Sequence, residues 1–329
     1  MSRPASSQGQ SLDIGRIIDD GPWTTMQKFV VLLAALSIVA DGFDGQLIGF
    51  AIPHIIKEWG VTRGDFASVV AWGLLGMGIG SACAGLFADR YGRRRAIIGS
   101  VVLFSIATCA IGFVSSLGEI AVLRFIAGLG IGGALPTSTT MTAEFTPHRR
   151  RTLAVTATIV CVPVGGMLAG LFANFIIPDF GWRGLFKIGG LIPLLLAVVL
   201  YFRLPESPRF LAHHQGRWPE LIGLLGRMSR PVSAGTAFFD SREQNVAEDA
   251  GVRALFQGGR ARDTFALWVA CFGCLLAVYS AFSWLPTMLA NEGLAANVAG
   301  SGLTAYNIGG AIGALVCAAA ITRFGSRWP

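Results

Sequence analysis

Residues 30–55, VVLLAALSIVADGFDGQLIGFAIPHI, decide the fold, and they form most of an apolar run that extends from Lys28 to His54. About 20 apolar residues, rising 1.5 Å each, cross the hydrocarbon core of a bilayer as one helix. Two carboxylates, Asp41 and Asp44, stand inside this run. A carboxylate at such a depth costs roughly 2.5–3.5 kcal/mol on insertion scales, so the pair needs a functional or structural reason.

The two carboxylates lie three residues apart, which places both on one face of a helix. The sequence therefore predicts that this face lines a water-filled cavity inside a helix bundle rather than contacting lipid. The alternative is a helix kinked at Gly42 and Gly45 whose carboxylates reach the membrane interface.

The composition is that of a membrane protein. Of 329 residues, 53% are hydrophobic and 14% are charged, whereas charged residues make up about 25% of soluble domains. The net charge of +7 does not indicate a nucleic-acid partner, because the basic residues fall in short loops between apolar runs. The cysteines lie within the runs and the histidines show no metal-ligand spacing, so we expect no metal, no cofactor and no enzyme activity.

Eight apolar runs are long enough to span a bilayer, namely 28–54, 66–88, 96–115, 119–142, 152–177, 185–202, 265–289 and 298–321. They predict an all-α, polytopic membrane protein. Its parts are an N-terminal tail (1–27), a six-helix bundle (28–203), a polar central loop (204–264) and a C-terminal half with two helices (265–329).

Arginine is concentrated in alternate loops. Four arginines lie between positions 90 and 95 after the second run, three at 149–151 after the fourth, and nine follow the sixth. The positive-inside rule therefore predicts that the N-terminal tail and the central loop are cytoplasmic.

A short internal repeat is also present. Residues 90–94, RYGRR, follow the second run, and residues 323–327, RFGSR, follow the eighth. Two parallel six-helix halves would give this register. Because the second half stops after two helices, the sequence predicts a C-terminally truncated chain that lacks about four spans.

Arg124 is the basic residue that falls well inside an apolar run. With the predicted orientation, Asp41 lies roughly 20 Å along helix one from the cytoplasmic face, and Arg124 lies roughly 10 Å from the outer face in helix four. In a core of about 30 Å the two share a depth, which predicts a buried ion pair of Arg124 with Asp41 or Asp44. The alternative role is a purely structural staple between helices one and four.

The quoted motifs resemble the major facilitator superfamily. Residues 85–94, GLFADRYGRR, look like its signature between helices two and three, and Arg124 followed by Gly128 looks like its fourth-helix motif. The resemblance implies a six-helix N-terminal bundle followed by an incomplete second bundle.

Further motifs resemble particular groups within this superfamily. Glu144, Pro147 and Arg151, with LPESPR at 204–209, resemble the branch of sugar porters and organic-acid symporters. Asp41-Gly-Phe-Asp44 resembles the aromatic acid:proton symporter group, since sugar porters usually keep only the second aspartate.

The resemblance implies a carrier, driven by the proton gradient, that imports a benzoate-, hydroxybenzoate- or phenylpropionate-like carboxylate. Its partners would be this substrate, protons and the lipid bilayer, with no nucleic acid. We expect a monomer in the plasma membrane, as in the inner membrane of a bacterium. The alternatives are a sugar, polyol or other organic-acid symporter, or an inactive fragment that lacks the last four helices.

Three sets of site residues follow. The coupling residues are Asp41, Asp44 and Arg124, because a substrate anion that takes the guanidinium would free an aspartate to bind a proton. The candidate ring contacts are Phe43, Tyr279 and Trp284. The candidate gating residues, which also serve to orient the chain, are Gly85, Asp89, Arg90, Gly92, Arg93, Glu144 and Arg151.

Overall fold

The computed structural model describes residues 11–233, 235–241, 256, 260–294 and 296–324. The long helices are α2 (Thr25–Trp59), α3 (Arg63–Tyr91), α4 (Arg93–Ile111), α5 (Leu117–Phe145), α6 (His148–Arg203), α9 (Ala261–Asn291) and α10 (Ala296–Phe324). The short elements are β1 (Ser11–Asp13), α1 (Ile14–Asp20), α7 (Pro208–Ala212), a 3₁₀ turn (Gln215–Arg217), α8 (Trp218–Arg227) and β2 (Ala237–Phe239).

The predicted all-helical membrane fold is confirmed. Within the described residues, six helices are long and apolar enough to cross a bilayer: α2, α3, α4, α5, α6 and α9. Helix α6 has 56 residues and, if straight, would measure roughly 84 Å, nearly three times a bilayer core of about 30 Å. Gly181 interrupts it with φ 65° and ψ −176°, so α6 consists of two arms that correspond to the fifth and sixth predicted runs.

Local sequence explains where three of the spanning helices begin. The side chains of Thr24, Thr62 and Ser116 each accept a hydrogen bond from the backbone N–H three residues later. The side chain of that later residue in turn accepts a hydrogen bond from the backbone N–H of the capping residue. These capping boxes satisfy backbone donors that have no partner inside the helix.

Glycine sets the distance between neighbouring helices. A Cβ on Gly132 of α5 would overlap the backbone of Met77 in α3, and a Cβ on Gly80 would overlap that of Leu129. The absence of side chains lets the two helices approach closely, which is how membrane helices gain packing energy without a hydrophobic effect between them. Gly73 of α3 lies beside Arg124 of α5, since a Cβ on Gly73 would be 3.7 Å from the Cβ of Arg124.

The N-terminal segment and the central loop form a small ordered layer at the arginine-rich end of the bundle. Strand β1 pairs in parallel with β2, with Leu12 opposite Phe238. Ile14 and Ile18 of α1 are fully buried in the same apolar cluster as Leu221 and other residues of α8. Residues 242–255 and 257–259 of the central loop, and residues 325–327 of the predicted repeat, lie outside the described residues.

Candidate functional site

The structure brings Arg124 and the two aspartates together inside the bundle. Asp44 is completely buried, and Asp41 and Arg124 are each 6% exposed. Nη1 of Arg124 lies 3.9 Å from Oδ2 of Asp44, and its Nη2 donates a hydrogen bond of 3.5 Å to the carbonyl oxygen of Gly45. The arginine therefore pairs with the second aspartate of the motif.

This ion pair is loose. At 3.9 Å the two charges attract each other, but Oδ1 and Oδ2 of Asp44 and Nη1 of Arg124 have no hydrogen-bond partner among the described residues. Buried charges that are paired but incompletely hydrogen-bonded pay a desolvation cost that the pair itself does not recover. A carboxylate arriving from outside could offer Arg124 the two parallel hydrogen bonds that Asp44 does not make.

Asp41 has a different environment. It lies on the wall of a narrow cleft of about 60 Å³, which Arg124, Gln46 and Tyr279 also line. Its Oδ1 is buried and has no hydrogen-bond partner in the part of the chain that the structure describes. By the same measure of volume, one water molecule needs roughly 10–15 Å³, so the cleft has room for a few waters around the carboxylate.

A larger recess of about 620 Å³ adjoins this cleft and shares several of its lining residues. The shared residues are Asp41, Val70, Leu74, Met77, Ile131, Val162 and Tyr279. The wall contributed by α9 carries Phe272 and Trp284 as well as Tyr279. Its volume falls in the range of roughly 300–1,000 Å³ that small-molecule sites occupy.

Two of the three predicted ring contacts, Tyr279 and Trp284, therefore line the recess. Phe43 lies elsewhere: its ring packs against Phe172 with centroids 5.3 Å apart, and it is 7% exposed. Although Phe43 is next to the acidic pair in sequence, helical geometry turns its side chain toward α6.

Sequence reasoning missed two polar groups beside the site. Thr108 of α4 is fully buried near Asp44, and its hydroxyl has no hydrogen-bond partner among the described residues. Gln46 of α2 forms two reciprocal amide hydrogen bonds with Asn307 of α10, at 3.0 and 2.6 Å. A polar residue inside an apolar run was the available signal, and Gln46 stands only five positions after Asp41.

The predicted gating residues cluster at the arginine-rich end. Arg93, at the start of α4, contacts Asp89 at 2.9 Å and Glu144 at 3.4 Å, and donates to the carbonyl oxygen of Ala88 at 3.0 Å. The hydroxyl of Ser207 donates a short hydrogen bond to Glu144. Arg93 and Glu144 thus join the ends of α3, α4 and α5 to the chain that follows α6.

Gly92 is required where it stands. Its φ of 103° is a conformation that residues with a Cβ rarely adopt, and a Cβ there would overlap the carboxylate of Glu206. That carboxylate accepts hydrogen bonds from the backbone nitrogens of Arg94 at 3.1 Å and Ser207 at 2.9 Å. Gly92 lets the loop lie directly against this acceptor.

The remaining predicted gating residues are Arg151, Arg90 and Gly85. Arg151 donates to the carbonyl oxygens of Ala143 and Thr146 and forms an ion pair with Asp19 of α1. Arg90 lies 5.5 Å from the ring of Tyr91, and a Cβ on Gly85 would meet no neighbouring atom. These positions therefore differ in how strongly they connect neighbouring segments.

Comparison with known proteins agrees with the fold and with the motifs. Residues 34–329 match the family model described as Major Facilitator Superfamily. The gallate transporter of Pseudomonas putida is 36% identical over 305 residues, which are 93% of this chain and 68% of that protein. The 4-hydroxybenzoate transporter PcaK of Pseudomonas aeruginosa is 34% identical over 325 residues, 98% of this chain and 72% of that protein.

Among solved structures, the xylose transporter XylE from E. coli superimposes with a TM-score of 0.70 at 20% identity, covering 92% of this chain and 74% of XylE. At that identity the similarity concerns the fold alone. The family match, the curated relatives and the shared fold agree, so this chain belongs to the Major Facilitator Superfamily and is a multi-pass membrane transporter rather than an enzyme.

Proposed function

We propose that this chain imports an aromatic carboxylate together with a proton. The observation that supports this most directly is the loosely held guanidinium of Arg124 on the wall of the cleft, which adjoins a recess lined by Tyr279 and Trp284. The guanidinium matches a carboxylate group, and the aromatic side chains offer the ring a surface for stacking.

The relatives support the substrate class. The names of three relatives give gallate, 4-hydroxybenzoate and benzoate as their substrates. Each of these molecules is an aromatic ring that bears one carboxylate. Such a molecule has one charged end for Arg124 and one flat apolar face for the recess. A sugar carries no charge, so a bound sugar would leave Arg124 paired only with Asp44 at 3.9 Å, as it is without substrate.

Coupling follows from competition for one cation. When the substrate carboxylate takes Arg124, Asp44 loses its counter-charge at a fully buried position. A buried carboxylate without a partner is far more stable when protonated, so Asp44 binds one proton as the anion binds. Asp41, on the wall of the cleft, is the group placed to pass that proton between the cleft and Asp44. One proton and one anion then cross together, and the net charge of the site does not change.

The proposal includes an orientation and an oligomeric state. The arginine-rich end faces the cytoplasm, which the distribution of arginine among the loops supports. The proposal takes the carrier to act as a monomer.

The experiment is uptake of radiolabelled 4-hydroxybenzoate into proteoliposomes under an imposed pH gradient. We expect Arg124→Gln and Asp44→Asn to lose accumulation above the equilibrium level. Glu58→Gln serves as the matched control. Glu58 lies in α2, as Asp44 does, but it pairs with Arg183 at the end of the bundle that is opposite to the arginine-rich end. Unlabelled benzoate should compete and xylose should not. Accumulation by Arg124→Gln equal to that of the unmodified chain would refute the proposal.

A further inference from the structure

A second recess lies at the arginine-rich end, outside the transport site. It has a volume of about 910 Å³ and lies between the segment that includes α1 and the beginning of α6. The N-terminal segment contributes Arg16, Asp19, Asp20, Gly21 and Trp23, and the other wall comprises residues 147–150. None of these residues takes part in the coupling scheme proposed above.

Three arginines (Arg16, Arg149 and Arg150) and two aspartates (Asp19 and Asp20) line this recess, so positive charge is in excess by one. Arg149 and Arg150 have no acidic partner within 4.0 Å among the residues that the structure describes, and both are exposed. Asp19, the less exposed of the two aspartates, forms an ion pair with Arg151. An anion entering the recess would therefore meet two guanidinium groups that form no ion pair among the described residues.

The recess also offers donors other than arginine. Helix α6 begins at His148 with Pro147 as its N-cap and without a side-chain cap, so its positive dipole end lies beside this recess. The backbone N–H of Arg150 donates to the carbonyl oxygen of Pro147 at 3.0 Å, which leaves the N–H groups of His148 and Arg149 for a ligand. The indole Nε1 of Trp23 is buried and has no acceptor in the described part of the chain. Indole nitrogens buried in this way normally find a partner, so Trp23, which lines the recess, carries a donor without an acceptor just beneath its wall.

The position of the recess indicates which kind of anion it fits. Two membrane-spanning helices, α2 and α6, begin at Thr25 and His148, so the recess lies at the level of the lipid head groups. The ring of Trp23 is flanked by Arg150 at 5.2 Å and Lys28 at 5.6 Å. Tryptophan beside basic residues is typical of the membrane interface, and basic pockets at helix ends bind anionic head groups.

We propose that this recess binds the head-group phosphate of an anionic phospholipid. The phosphate oxygens accept hydrogen bonds from the indole of Trp23 and from the start of α6, and Arg149 and Arg150 neutralise the charge. The positive-inside rule explains why arginines lie on this side of the membrane. It does not explain why two of them converge, without acidic partners, on a recess with an uncapped helix and an unused indole donor.

Native mass spectrometry of the purified chain, titrated with phosphatidylglycerol or phosphatidylcholine, tests this inference without any transport assay. We expect phosphatidylglycerol to bind at least tenfold more tightly than phosphatidylcholine. Each arginine near an anionic lipid contributes about a fivefold factor, so Arg149→Gln/Arg150→Gln should weaken phosphatidylglycerol binding about 25-fold. The control Arg95→Gln/Arg227→Gln removes two exposed arginines outside the recess and should change binding less than threefold.

A second variant guards against misfolding of the first. Trp23→Phe keeps an aromatic ring but removes the indole donor, and we expect a severalfold weaker affinity for phosphatidylglycerol with unchanged affinity for phosphatidylcholine. Equal binding of the two lipids, or an equal effect of the control pair, would overturn the proposal, because either would mean non-specific attraction of charge. Displacement of phosphatidylglycerol by millimolar inorganic phosphate would also overturn it, in favour of a soluble anion. Since transport is not measured, the inference can fail independently of the proposed function.

Discussion

Neutralising both partners of the Arg124–Asp44 pair should destabilise the bundle by less than the sum of the two single neutralisations. The two charges are 3.9 Å apart and each is at least nine-tenths buried. At an effective dielectric constant of about 20, charges at that distance attract each other by about 4 kcal/mol. Removing one partner of a buried pair leaves an uncompensated charge and typically costs about 3–5 kcal/mol.

We therefore expect Asp44→Asn and Arg124→Gln each to lower the free energy of unfolding by about 3–5 kcal/mol. The double variant should lose at least 2 kcal/mol less than the sum of the two single losses, because it buries no unpaired charge. Unfolding can be followed by circular dichroism during titration of the detergent-solubilised chain with sodium dodecyl sulfate.

Asp41→Asn is the control for this cycle, because Asp41 shares the helix and the cleft but makes no ion pair with Arg124 within 4.0 Å. Its coupling to Arg124→Gln should be less than half of the coupling that Asp44→Asn shows. Additivity of Asp44→Asn and Arg124→Gln to within about 0.5 kcal/mol would refute the reasoning, since it would mean that the two groups do not sense each other.

Three further outcomes are expected. Thr108→Val, which removes the hydroxyl beside Asp44, should shift the pH profile of proton-driven uptake, and Thr108→Ser should restore it; identical profiles for both variants would exclude a role for the hydroxyl. Gln46→Leu and Asn307→Leu each leave one buried amide unpaired, so each should lower the free energy of unfolding by about 1–3 kcal/mol. The double variant should lower it by less than the sum of the two single effects. Thermal unfolding in detergent measures these changes. Burial favours a raised pKa for the Asp13 carboxyl group, but hydrogen bonds from Ser241 and Gly15 outweigh the effect of burial and hold the pKa below its ordinary value of 3.8. The ionised carboxylate therefore stabilises the layer formed by the N-terminal segment and the central loop at pH values above 3.8, and this stabilisation is lost as the pH falls further. Hydrogen exchange of residues 11–20, corrected for intrinsic rates, should show this loss in the unmodified chain and a smaller pH dependence in Asp13→Asn.

The spanning helices could be predicted from the sequence because backbone groups in lipid have no partners other than those within a helix. A run of about 20 apolar residues therefore has one available structure, and this holds for 66–88 or 119–142 without any knowledge of their neighbours. Capping pairs such as Ser116 with Glu119 are local as well, so the beginnings of helices could be anticipated from short motifs. The order of arginine-rich loops and the presence of ionisable groups at depth are likewise properties of the linear chain.

Tertiary structure decided which of these groups meet. Asp41 and Asp44 have the same chemistry and lie less than one turn apart, yet Arg124 pairs with Asp44, because the rotation of α2 is set by its close packing at Gly42 against Val162 of α6. The same packing buries Phe43 against Phe172 and leaves Tyr279 and Trp284 on the wall of the recess. The pairing of β1 with β2 and the recess beside Trp23 join segments far apart in sequence, and no local pattern encodes such a contact. Periodicity determines which side chains share a face, but only the neighbouring helices determine what that face contacts.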